Sequence, residues 1–158
     1  MDIVDKATRS RMMSGIRGTN TAPERALRCA LHGLGLRFRL HGKSLPGKPD
    51  IVSRRYQALI YVHGCFWHRH TGCRFASTPK SREEFWRTKF EANVERDLKV
   101  HDAALQLGWR VATVWECSLR KSGQVELSAS AVMEWLKSDC QTLELGAPIS
   151  DLIQCSSA

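Results

Sequence analysis

The sequence predicts one α/β domain, with helices packed over a mixed β-sheet. Apolar residues recur at helical spacing over residues 22–34, then three short strand-like runs follow. A second helical period, a fourth strand-like run and a third helix complete the order. A chain of 158 residues is within the range of a single domain and long enough to bury a core. Its 42% hydrophobic and 25% charged content is ordinary for a globular protein and gives no sign of wholesale disorder.

Residues 1–20 contain Lys6, Arg9, Arg11 and Arg17 without a hydrophobic period, and read as a basic, mobile N-terminal arm. Thr21-Ala22-Pro23-Glu24 has the form of a capping box with proline in the first turn. Ala26, Leu27, Ala30, Leu31 and Leu34 continue that helix, and Gly35 stops it. Cys29 reads as core filling on the same helix. Leu36, Phe38 and Leu40 alternate with Arg37 and Arg39 as in a half-buried strand.

Leu45-Pro46-Gly47-Lys48-Pro49-Asp50 is a turn into Ile51-Val52, and Ala58-Leu59-Ile60-Tyr61-Val62 is apolar enough for a buried strand. Ser81-Arg82-Glu83-Glu84 opens a second capped helix, with Phe90, Val94, Leu98, His101 and Leu105 on one stripe and Gly108 at its end. Residues 109–117 read as a strand and 124–137 as a helix carrying Val125, Val132, Trp135 and Leu136. The domain thus spans residues 21–138, and the small polar residues 139–158 form a flexible tail.

The formal charge of +8 is uneven. Residues 1–120 hold 22 Lys/Arg against 11 Asp/Glu, and residues 121–158 hold 2 against 5. A basic body suits a polyanion, because each neutralised phosphate releases counterions. No apolar leader and no apolar run of membrane-spanning length occurs, so a cytoplasmic protein without a membrane partner is expected. Thiols in that reducing setting are expected to stay unpaired, and serve better as metal ligands.

Cys65, Cys73 and Cys117, with one imidazole from His63, His68 or His70, fit a tetrahedral Cys3His zinc shell. Four protein ligands leave no open position, so such a zinc is structural. The remaining histidines are then available for acid–base chemistry near neutral pH. Asp50, after Pro49 at a strand start, could hold Mg2+ against a phosphate or merely cap a turn. Phe66, Trp67 and Trp86 suit either a core or a wedge between base steps.

Asp5-Lys6-Ala7-Thr8-Arg9-Ser10, the turn ending at Asp50, His63-Gly64-Cys65-Phe66-Trp67-His68, Asn93-Val94-Glu95-Arg96-Asp97 and Gly108-Trp109-Arg110-Val111 closely resemble the very-short-patch-repair (Vsr) mismatch endonucleases. The likeness covers roughly residues 5–120. It implies a restriction-endonuclease-like fold that nicks DNA 5′ of the thymine in T·G mismatches left by 5-methylcytosine deamination. By the same resemblance, Asp50 and the main-chain carbonyl of Val62 hold Mg2+, and His68 activates water. His63 and Glu24 assist at the phosphate, while Asp97 orients a catalytic histidine.

Cys65, His70, Cys73 and Cys117 match the family's zinc ligands. Phe66, Trp67 and Trp86 match the aromatics that enter the base stack, and Lys6, Arg9 and Arg11 lie on the arm that grips DNA. The expected partner is mismatched double-stranded DNA, with mismatch-repair proteins beside it, and the expected state is a monomer. Three rival functions remain: a restriction-type nuclease acting on intact duplex, a non-catalytic zinc module that binds DNA, and, the weakest of them, an RNA nuclease.

Overall fold

The computed structural model describes residues 5–14 and 18–146. Their elements are helix α1 (Lys6–Ser14), helix α2 (Ala22–Gly33), strands β1 (Arg39–Leu40), β2 (Ile51–Ser53) and β3 (Ala58–His63), and helix α3 (Glu83–Gln106). Strand β4 (Arg110–Trp115), a 3-10 turn (Glu116–Leu119), helix α4 (Ser122–Lys137) and strand β5 (Thr142–Leu145) follow. The sheet order is β1-β2-β3-β4-β5. β1, β2 and β3 run antiparallel, whereas β3, β4 and β5 are parallel. This is the mixed, restriction-endonuclease-like sheet that was expected, with α3 and α4 as its crossover helices.

Side-chain alternation along β3 divides the core. Ala58 and Ile60 join Leu27, Leu31, Val114, Val132 and Trp135 in the cluster under α2 and α4. Leu59 and Tyr61 join Val52, Val111 and Ala104 in the cluster under α3. Both faces of the strand are therefore covered, which explains its continuous apolar run. Thr21 caps α2 as expected: its hydroxyl accepts from the Glu24 backbone amide at 3.5 Å, and the Glu24 carboxylate accepts from the Asn20 amide at 3.0 Å.

Several expectations fail for identifiable reasons. The arm carries no helical signal in its sequence, yet Lys6–Ser14 form α1, which Asp5 caps by accepting from the Thr8 amide at 2.8 Å. Residues 139–158 are not wholly a tail. Leu143 and Leu145 are buried, and β5 pairs with β4 from Val111↔Thr142 to Val114↔Leu145. Cys29 is exposed, since it lies two residues from Leu27 and so about 200° around the helix from that core position.

Helix α3 begins at Glu83, after Arg82 in the left-handed region and with no side-chain cap. Its expected apolar stripe is only partly covered. Ala104 is buried and Val100 and Leu105 pack on the sheet, whereas Leu98 is 62% exposed. The other end packs through Phe90 and Trp86 against Phe66 instead of against strands.

Arg110 fastens α4 to the start of β4. Its guanidinium donates to the carbonyls of Trp135 at 2.6 Å, Leu136 at 3.0 Å and Cys140 at 2.9 Å. The Trp135 and Leu136 carbonyls are at a helix C-terminus, where a cation is favoured. If β5 is part of the core, Leu143→Ala destabilises the protein by about 2–5 kcal/mol in urea unfolding. A loss below about 0.5 kcal/mol would return this segment to the status of a tail.

Candidate active site and thiol–imidazole cluster

The parallel strands β3 and β4 end side by side, with His63 in register with Trp115. The chain leaving each strand supplies thiols two residues later, Cys65 and Cys117. His70 Nδ1 lies 3.4 Å from Cys117 Sγ and 3.7 Å from Cys65 Sγ. Cys73 completes a set whose ligand atoms all fall within 4.8 Å of one another. A tetrahedral metal bonded at about 2.3 Å to sulfur and about 2.05 Å to nitrogen sets S···N edges of about 3.6 Å. The four residues fit such an ion. Burial, the largest cause, pushes the Cys65 thiol up to about 12, and a bound cation would reverse that preference.

Asp50 sits one residue before β2, and its Oδ2 accepts from the Val62 backbone amide at 2.7 Å. Glu24, 5% exposed, reaches the same place from the capped start of α2. Burial, and then the Glu24 carboxylate, push the Asp50 carboxyl up to about 7, although the Val62 amide pulls the other way. Glu24, His41 and Asp50 each offer a ligand atom within 4.8 Å of the others. Two crowded carboxylates with an imidazole fit a divalent cation, whose charge would relieve their repulsion. His41 was not singled out from the sequence, where a lone loop histidine carries no signal.

His63 and His68 stack with ring centroids 4.0 Å apart and planes 8° from parallel. His68 Nδ1 lies 2.6 Å from Asp97 Oδ2 on α3. An ionised carboxylate can only accept, so it fixes the proton of a neutral ring on Nδ1 and leaves the lone pair on Nε2. Burial, followed by the His68 charge, lowers the His63 imidazole to about 4, so this ring is neutral at pH 7. A cavity of ≈ 290 Å³ brings Glu24, Asp50, Val62, His63, His68 and Asp97 onto one wall system.

Phe66, Trp67 and Trp86 are half-buried and meet edge to face or tilted, with centroids 5.0–6.0 Å apart. Asn93 Nδ2 donates to the Trp67 carbonyl at 3.0 Å, which fixes the loop carrying that pair. Lys6 and Arg11 are exposed on α1; the side chain of Arg9 lies outside the described residues.

A half-buried aspartate just before a strand, a carboxylate-held imidazole and a mixed α/β sheet together make an arrangement of the restriction-endonuclease-like class, one able to hold a divalent cation. Residues 1–74 match the family described as DNA mismatch endonuclease Vsr. The chain is 46% identical to DNA mismatch endonuclease Vsr of Escherichia coli (strain K12) over 136 residues, 86% of this chain and 85% of that protein. It is 45% identical to Type II nicking enzyme V.XorIIP of Xanthomonas oryzae pv. oryzae over 133 residues, 84% of this chain and 97% of that one. Type II nicking enzyme V.NmeAIP of Neisseria meningitidis is 40% identical over 119 residues, 75% and 84% respectively. The chain belongs to the Vsr family of DNA endonucleases.

The raised Asp50 pKa has a definite sign for stability. In the cation-free protein the native state keeps its proton up to about pH 7, whereas the unfolded carboxyl loses it near 3.8. This group's contribution is therefore full below about pH 4 and lost as pH rises through about 7. Asp50→Asn removes the buried charge and should raise the melting temperature at pH 8, by an amount that shrinks towards pH 4. Parallel melting curves in chelator check this; an offset that is independent of pH would refute the burial argument.

Proposed function

We propose that the chain nicks double-stranded DNA on the 5′ side of the thymine in T·G mismatches arising from 5-methylcytosine deamination, by Mg2+-dependent phosphodiester hydrolysis. The observation that carries this reading is the joint placement of Asp50 and the His68–Asp97 pair in one cavity. Asp50 and the Val62 carbonyl would hold Mg2+, with Glu24 beside them. When bound, the cation stabilises charge on the phosphate and makes water more acidic. His68 Nε2 takes the proton from the attacking water, and Asp97 keeps the ring oriented. Neutral His63 stacks on that ring and limits its rotation, and it faces the phosphate alongside Glu24.

Phe66, Trp67 and Trp86 open the mismatched step, which costs less than opening a well-paired one. Lys6, Arg9 and Arg11 contact phosphates without reading sequence. Zinc at Cys65, His70, Cys73 and Cys117 is structural, because its shell is closed by protein. The protein acts as a monomer in the cytoplasm, at the nucleoid, with mismatch-repair proteins as further partners. In support, no described helix is long and apolar enough to cross a membrane, and one relative is named a mismatch endonuclease.

The naming of other relatives as Type II nicking enzymes favours a second reading, nicking at a defined sequence in intact duplex. Nicking assays with Mg2+ on T·G-mismatched and fully paired duplexes of several flanking sequences separate the two. The mismatched strand should be cut preferentially, and equal cutting of paired duplex would overturn the proposal. In the same assay Asp50→Ala should abolish nicking, and His68→Ala should slow it about 10²–10⁴-fold. A loss below tenfold at His68 would move the general-base role to His63.

Cys117→Ser should lower zinc content and melting temperature together, because metal binding and folding share their free energy. Elemental analysis that finds no zinc in the unsubstituted protein would remove the structural-zinc reading.

A further inference from the structure

His41 is the one member of the carboxylate cluster for which neither the sequence nor the proposed mechanism supplied a role. Its position is set by the backbone. The β1–β2 ladder pairs Leu40 with Ile51, and the next residues continue it, with the His41 amide donating to the Asp50 carbonyl at 3.2 Å. The Gly42 amide donates to the Pro49 carbonyl at 3.2 Å. His41 is thus held directly across from Asp50, not at the tip of a loop.

At this point the chain leaves the strand conformation, with φ 50° at His41. A left-handed histidine is uncommon and costs on the order of 1 kcal/mol or more unless surrounding contacts hold it. A ring nitrogen of His41 comes within 4.8 Å of a carboxylate oxygen from both Glu24 and Asp50. Its Nε2 is buried with no hydrogen-bond partner among the described residues. Most buried polar nitrogens find a partner, and one left without is explained by an absent ion or water. Two carboxylates beside a ring that carries such a nitrogen favour an ion.

We propose that His41 is a nitrogen ligand of the divalent cation held by Asp50, with Glu24 as the second carboxylate of the set. This rests on the reading of Asp50 as a cation ligand and extends it. Mg2+ takes oxygen donors almost exclusively, whereas imidazole suits transition metals. An imidazole in the set therefore shifts preference from Mg2+ towards ions such as Mn2+. The shift originates outside the motif residues, in the turn that follows β1.

The test is Mn2+ and Mg2+ binding by the full-length protein without DNA, its thiol cluster first saturated with Zn2+. The unsubstituted chain, His41→Asn and Asp50→Asn are compared by titration calorimetry and by pulsed electron paramagnetic resonance of bound Mn2+. Asparagine is chosen because it tolerates the left-handed backbone, and matching circular dichroism and melting temperature check the fold. The unsubstituted protein should show coupling of Mn2+ to a directly bonded imidazole nitrogen. His41→Asn should lose that coupling and weaken Mn2+ binding at least about tenfold, with a smaller effect on Mg2+.

Coupling that persists in His41→Asn, or an unchanged ratio of Mn2+ to Mg2+ affinity, overturns the proposal and leaves Asp50 as a ligand if Asp50→Asn still weakens both ions. Binding that is unaffected by Asp50→Asn overturns the underlying reading of Asp50, and the proposal with it.

Discussion

The parallel pairing of β3 with β4 is the constraint from which the site follows. Six residue pairs, from Ala58↔Arg110 to His63↔Trp115, bring two strand ends to the same level. The chain must then turn away from both ends at once. Cys65 and Cys117 stand in those two departures, and His70 and Cys73 close over them. Cross-linking through such a cluster would fix the path of residues 64–73, and that path carries Phe66, Trp67 and His68. The placement of these side chains would thereby depend on one local tie and not on a large core.

A second dependence runs through α3. Asp97 reaches His68 from this helix, and Phe90 and Trp86 meet Phe66 about two and three turns earlier. The helix is therefore bound to the loop of residues 64–73 at two levels, while Val100, Ala104 and Leu105 bind it to the sheet. Its exposed Leu98 lies in the stretch between, beside the cavities that the histidines line. A mostly uncovered helix can thus hold a precise hydrogen bond at its middle.

Much of this was legible in the residues. The Thr21–Glu24 box, the apolar run of β3 and the thiol spacing each have one dominant physical reading, and the structure places them accordingly. What was hidden shares a cause: it depends on contacts distant in sequence. β5 has only Leu143 and Leu145 as its apolar face, too short a pattern to separate from a polar tail without β4 beside it. The fate of Leu98 depends on where the sheet ends. His41 acquires meaning only when the hairpin sets it opposite Asp50. The roles of Glu24 and Asp97 came from family resemblance, because a capping glutamate and a helix-surface aspartate look ordinary alone.

Asp50 and His63 perturb the protein's proton balance in opposite senses. Between about pH 4 and 6.5, the cation-free native state holds a proton on Asp50 that the unfolded chain lacks. Over the same interval it lacks one on His63 that the unfolded chain holds. Folding takes up one proton and releases another, so these two groups leave the fold indifferent to mild acid. Two strongly displaced groups, one acid and one base, can thus sit in one site while their own contributions to the proton balance of folding cancel.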